Sequence, residues 1–115
     1  MKATVERFGA QASKYKVTDL SWREAFYRSA MGEVARTGGP LVPPVVVVVR
    51  PYCVDARGVC EPMSAVLALE QALEAAVAGG LLKDRRDVAQ VTIHKFLPAG
   101  RDGLTVEFSD GDEPF

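Results

Sequence analysis

The chain has 115 residues, 48% of them hydrophobic, and a formal net charge of −1. This length is most simply one domain, and the hydrophobic fraction is too high for a disordered chain. The near-zero charge argues against a dedicated, non-specific nucleic-acid binder, because such proteins usually carry a strong basic excess.

The charge is unevenly distributed along the chain. Residues 107–115 contain acidic side chains and no basic one, so residues 1–106 carry 14 basic groups against 11 of the 15 acidic ones, a net charge of +3. A weak basic face is compatible with this distribution. We interpret residues 109–115 as a flexible, solvated acidic tail. The alternative is a tail that competes with a ligand for the basic face.

No segment is predicted to target or cross a membrane. Charged residues follow Met1 where the apolar core of a signal peptide would lie. The longest apolar run, residues 45–49, is far too short to span a bilayer. We therefore expect a soluble, cytoplasmic protein.

The chain has two cysteines, Cys53 and Cys60, and one histidine, His94. A structural zinc site needs about four ligands, so zinc is not expected. A disulfide is geometrically conceivable, but the redox state of the cytosol disfavours it, and we interpret both cysteines as free thiols. We interpret His94 as an ordinary surface group, because no acid or nucleophile stands at a suggestive spacing from it.

The first half of the chain predicts a strand, a helix and a second strand. Residues 1–8 indicate a short edge strand. A helix follows and ends near residues 37–40, where two glycines precede a proline. Five consecutive valines, residues 45–49, predict the central strand of a sheet with both faces covered, and residues 50–52 end it. The apolar side chains of the helix fall on one stripe: Trp22, Phe26, Ala30 and Val34.

The second half predicts a helix and two strands. Pro62 suits the first turn of a helix, which runs without a breaker to residue 78. Residues 88–95 alternate as a half-buried strand, and residues 104–108 alternate as another. The Gly-containing turn between them predicts an antiparallel hairpin. The predicted apolar stripe of the helix consists of Met63, Val66, Leu67, Leu73 and Val77.

The predicted order is strand, helix, strand, helix, strand, strand. We predict an α/β (α+β) fold in which one small mixed sheet of about four strands packs with two helices. Residues 1–115 form this single domain, with the acidic tail at its end.

The segment from residue 61 to residue 86 has the layout of an acidic nuclease motif. Glu61 lies just before the second predicted helix. After that helix comes one acidic residue flanked by three basic ones: Lys83, Asp84, Arg85 and Arg86. With the order of elements over nearly the whole chain, this layout resembles the RusA family of Holliday junction resolvases.

The resemblance implies how such a site works. In that family the helix opens with Asp-x-Asp-Asn, followed three residues later by Lys, and an Asp-Asp pair lies before the last strands. The acids bind Mg²⁺, which activates a water and stabilises charge at a DNA phosphate. Resolvases of this family are homodimers, because a four-way junction has two-fold symmetry and needs paired cuts.

Most of the diagnostic positions differ in this chain. The first Asp falls on Glu61, which can still bind a metal ion. The second falls on Met63, whose thioether is a poor magnesium ligand. The Asn falls on Ser64 and the Lys on Leu67.

The later acidic pair is half retained. Asp84 remains, and Arg85 in the second position puts positive charge where a metal would bind. The resemblance therefore leaves Glu61 and Asp84 as candidate catalytic residues. The candidate ligands for Mg²⁺ are Glu61, Asp84 and, as a replacement on the helix, Glu74.

Basic residues near this segment are candidate DNA contacts. Lys83, Arg85 and Arg86 form a small cluster that can hold a phosphate, and Arg57 is a fourth candidate. The alternative is an ordinary solvated turn. We interpret Glu70, which falls within the apolar stripe, as ion-paired with a base such as Arg57 or Arg85.

Two functions are compatible with this pattern. The first is a RusA-like protein of bacterial or phage type that binds branched DNA and has weak or absent Mg²⁺-dependent endonuclease activity. The alternative is a non-catalytic, dimeric interaction protein on the same fold. Both predict a homodimer, and neither requires a small-molecule cofactor.

Overall fold

The computed structural model describes residues 1–8, 20–53, 62–95, 97–98, 100 and 103–111. The predicted α/β (α+β) class and order of elements are confirmed, and a short strand, β4, is added. In chain order the elements are β1 (Lys2–Phe8), α1 (Leu20–Thr37), β2 (Val45–Cys53), α2 (Pro62–Ala78), a 3-10 turn (Arg85–Asp87), β3 (Val88–Ile93), β4 (Leu97–Pro98) and β5 (Gly103–Ser109).

β2 lies at the centre of one mixed sheet with the order β1-β5-β2-β3, and β4 also pairs with β2. It is parallel to β3 and β4 and antiparallel to β5, which is antiparallel to β1. The central place of the valine strand and the edge place of β1 are confirmed. The predicted hairpin is wrong, because β2 lies between β3 and β5. The crossover through α2 makes β3 a parallel neighbour of β2.

The two faces of β2 differ in burial. Val45, Val47 and Val49 are fully buried in the core beneath the helices, whereas Val46 and Val48 are half-buried. The prediction that both faces are covered is therefore wrong. The strand also continues past its predicted end to Cys53, because residues 50–52 pair with β5.

The core-facing stripe of α1 is confirmed. Trp22, Phe26 and Ala30 are buried, and Val34 packs against the core. The Trp22 and Phe26 rings contact each other with centroids 5.7 Å apart. None of the helices that the structure describes is long and apolar enough to cross a membrane.

The buried face of α2 differs from the predicted stripe. Val66 is exposed, and Leu67 and Val77 are only partly buried. Small side chains let α2 approach α1 closely: a Cβ atom on Gly79, just after α2, would lie 3.2 Å from Ala30 Cβ. The close packing of α2 against α1 therefore requires small residues on the buried face of α2, whereas the sequence pattern predicted large ones there. The buried residues of α2 are Ala65, Ala68, Leu69, Ala72, Leu73, Ala75 and Ala76.

Cys53, at the end of β2, is buried and disulfide-bonded. The described part of the chain contains no free cysteine. The prediction of a free thiol is therefore wrong for Cys53, because it followed from the redox state of the cytosol and not from local geometry. Cys60 lies outside the described residues.

The end of β5 is part of the folded structure. Asp110 is fully buried and accepts hydrogen bonds from the α-amino group of Met1 and the backbone N–H of Val42, both at 3.0 Å. Pairing of this kind offsets the cost of burying a carboxylate. The prediction of a flexible tail from residue 109 is therefore wrong for Ser109 and Asp110. Residues 112–115 lie outside the described ranges.

Candidate functional site

The predicted site residues fall on α2 and on the turn between α2 and β3. Glu61 and Arg57 lie outside the residues that the structure describes, as do the side chains of Met63 and Ser64. The structure describes all of the remaining candidates. In the turn these are Lys83, Asp84, Arg85 and Arg86, and on α2 they are Glu70 and Glu74.

Asp84 caps the 3-10 turn and is bonded to Arg86. Its Oδ1 accepts from the backbone N–H of Arg86 at 2.8 Å, and its Oδ2 accepts from Arg86 Nη2 at 3.1 Å. The Nε of Arg86 donates to both oxygens at 3.3 Å. These hydrogen bonds hold the pKa of Asp84 below its usual value and raise the pKa of Arg86. Both carboxylate oxygens of Asp84 therefore face the guanidinium group of Arg86.

Arg85 links the turn to α2. Its Nη2 lies 2.7 Å from Glu70 Oε2, and both side chains are about half exposed. The prediction that Glu70 pairs with a base such as Arg85 is confirmed. An arginine at the second acidic position thus bonds to a helix carboxylate of its own chain.

Glu74 belongs to a different contact. Its Oε2 lies 2.8 Å from Arg23 Nη2 on α1, and Gln71 Oε1 accepts from Arg23 Nε at 2.9 Å. Glu70 and Glu74 are one helical turn apart, but Glu70 bonds to the turn and Glu74 to α1. The role of Arg23 was not predicted, because no local pattern in the sequence indicates a contact between two distant helices.

The described side chains do not fit a magnesium site. Mg²⁺ requires converging oxygen ligands, and Asp84 and Glu74 are each bonded to an arginine. Among the described residues, no three His, Cys, Asp or Glu side chains converge. Leu67 is partly buried against the core.

The turn presents three basic side chains to solvent. Lys83 is exposed, and no ion pair joins it to another residue of the described ranges. The side chain of Arg86 is 91% exposed, and that of Arg85 is 44% exposed. His94, just after β3, is exposed, which confirms it as a surface group.

Comparison with the models of known protein families and with curated proteins found no match for this chain.

Proposed function

We propose that this chain is a RusA-like protein that binds branched DNA as a homodimer and cuts it weakly or not at all. One observation carries the proposal: Arg85, at a position where the resemblance expects an acid, bonds to Glu70 at 2.7 Å. The same turn also carries two further exposed bases, Lys83 and Arg86. The turn is therefore suited to binding a phosphate and poorly suited to binding a metal ion.

Binding to DNA would use the phosphate backbone. Arginine and lysine side chains contact phosphate oxygens and position a protein on DNA without reading its sequence. Exposed ion pairs of the Arg85–Glu70 kind are worth about 0.2–1 kcal/mol. A phosphate can therefore replace the carboxylate as the partner of the guanidinium at little cost. The near-zero net charge favours a local contact of this kind over broad electrostatic attraction.

Weak or absent cleavage follows from the charge at the turn. The positively charged guanidinium group beside Asp84 repels a divalent cation. The Arg85–Glu70 ion pair also connects the turn to α2, which is the connection that a metal ion bound by both elements would make. Of the candidate ligands, the two that the structure describes, Asp84 and Glu74, are each bonded to an arginine. We derive no catalytic step through Mg²⁺ for this chain.

A non-catalytic, dimeric interaction protein on the same fold is the second candidate. The observation that favours it is the exposure of apolar side chains on β3, where Val91 and Ile93 are 43% and 39% exposed. Such a surface suits a protein partner better than it suits DNA.

Fluorescence anisotropy with a labelled four-way junction and a linear duplex separates the two candidates. The proposal predicts tighter binding to the junction, with an affinity that falls as salt is added. Lys83→Glu should weaken binding and lower the salt slope by about 1, because one phosphate contact is lost. The control is Arg28→Glu on the exposed side of α1, which should bind as the unaltered protein does.

An absence of junction binding at low salt would exclude the DNA-binding proposal and leave the interaction protein. Equal losses from Lys83→Glu and Arg28→Glu would show that the turn is not the binding surface.

A further inference from the structure

Among the described residues, no strand pairs with β3 on the side away from β2. β3 ends the strand order β1-β5-β2-β3, and residues 89–93 are all exposed. Val91 and Ile93 are in register with Val47 and Val49 of β2 and therefore lie on the helix side of the sheet. Val47 and Val49 are fully buried, yet Val91 and Ile93 are 43% and 39% exposed. The helix layer thus ends before β3, and the prediction of a half-buried strand over residues 88–95 is wrong for the chain alone.

The backbone of β3 also has groups along this edge that pair with no described strand. The N–H of His94 donates to the carbonyl of Val49 at 2.9 Å, so the backbone groups at this position point towards β2. Because backbone groups alternate along a strand, the N–H and C=O groups of Val91 and Ile93 point away from β2. An exposed apolar strand with such a row of groups is a template for pairing with another strand.

The charges flanking β3 are complementary to each other. Asp87 directly precedes the strand and Lys95 lies two residues past its end. No ion pair joins Asp87 or Lys95 to another described residue, and the described base whose charge interacts with Asp87 is the adjacent Arg86. In an antiparallel pair of identical strands, the acidic end of one lies beside the basic end of the other. A parallel pair would place like charges together. The strand is therefore self-complementary in one direction only.

We propose that β3 pairs antiparallel with β3 of a second copy of this chain, about a two-fold axis at Val91. This register places Asp87 of one copy opposite Lys95 of the other and Gln90 opposite Thr92. The Val91 and Ile93 side chains of both copies then cover one another on the helix side of a sheet that continues through the dimer. A two-fold axis makes the interface closed, which stops further strand addition. This inference rests on the homodimer of the proposed function but not on DNA binding.

Light scattering on a sizing column tests the interface with two matched valine variants. The unaltered chain should have twice the monomer mass of 12.4 kDa. Val91→Lys should be monomeric, because it places charge at the centre of the axis. Val42→Lys should remain dimeric, because Val42 is equally exposed, at 44%, but lies before β2. Circular dichroism should show all three proteins folded.

A charge swap tests the register independently. Asp87→Lys should weaken the dimer by placing two lysines together, and Lys95→Asp should weaken it by placing two acids together. The double variant should recover dimerisation, because the pair is restored with its signs exchanged. Amide hydrogen exchange should show Val91 and Ile93 protected in the dimer and unprotected in Asp87→Lys.

The contradicting outcomes are distinct. A dimer that survives Val91→Lys, or a double variant that fails to recover, would overturn the β3 interface while leaving a homodimer through another surface. A monomeric unaltered chain at every concentration tested would overturn both the interface and the homodimer. Junction binding, measured separately, reports on the DNA-binding part of the proposed function in either case.

Discussion

At the residue scale, Arg86 and Asp84 bond to each other at the surface of the turn. The hydrogen bonds from Arg86 lower the pKa of Asp84 from 3.8. A carboxyl whose pKa is lower in the folded state adds stability at a pH above its unfolded value, and this stability is lost as the pH falls through the folded value. We therefore expect the contribution of the Asp84–Arg86 contact to be present well above the ordinary pKa of an aspartate and to be lost as the pH falls through the lowered pKa of Asp84.

Carbon-detected NMR titration of the Asp84 carboxyl checks this expectation. Arg86→Ala should raise the pKa of Asp84 towards 3.8. Arg85→Ala is the control and should leave that pKa unchanged, because Arg85 bonds to Glu70. An Asp84 carboxyl that titrates identically in all three proteins would show that the contact is absent in solution.

Gly103 is needed at the start of β5 because the backbone and ring of the neighbouring strand leave no room for a side chain. A Cβ atom there would lie 2.7 Å from the Arg7 carbonyl oxygen and would collide with the Phe8 ring. Gly103→Ala should lower the free energy of unfolding by about 1–3 kcal/mol, as overpacking does in cores. Urea unfolding measures the change, and Gly100→Ala is the control, because nothing lies within 4 Å of a Cβ at Gly100. Equal stability of the two variants would contradict the close approach of β1 and β5.

At the scale of elements, α2 depends on alanine for its approach to the rest of the core. Ala72 is fully buried, whereas Ala78 at the end of the same helix is exposed. Ala72→Leu should lower the free energy of unfolding by about 1–3 kcal/mol, because extra methylenes force the packed elements apart. Ala78→Leu should change it much less. A thermal unfolding series in which the two variants match would contradict the alanine-lined contact.

Elements whose periodicity is local could be predicted from the sequence. The valine run predicted a central strand, and the spacing of Trp22, Phe26 and Ala30 predicted the buried side of α1. The buried side of α2 could not be predicted, because its position depends on how closely α1 approaches. The neighbours of β3 and β5 were also mispredicted, since adjacency along the chain does not determine adjacency in a sheet.

The contacts of the candidate site could likewise be predicted only in part from the sequence. The Glu70–Arg85 pair followed from a carboxylate within an apolar stripe and a base in the next turn. The Arg23–Glu74 pair depends on the packing of two helices that are distant in sequence. The disulfide at Cys53 was missed because the cell compartment, not the geometry, decided the prediction.

At the scale of the whole molecule, the helices cover one side of the sheet and stop short of β3. The core is complete beneath β2 and β5, where Val47, Val49 and Val106 are fully buried. At β3 the edge of the sheet is apolar and exposed, and no described strand covers it. Pairing of two copies would bury this edge and would place two Lys83–Arg86 turns in one particle related by a two-fold axis. That symmetry matches the symmetry of a four-way junction.

We propose that this chain binds branched DNA without cutting it efficiently. The most direct measurement incubates the purified protein with an end-labelled four-way junction, with Mg²⁺, with Mn²⁺ and with neither, and resolves bound and cut DNA on native and denaturing gels. We expect a retarded junction whose strands remain intact whether or not metal is present. Efficient, symmetric, metal-dependent cuts that Glu61→Ala or Asp84→Ala abolishes would contradict it.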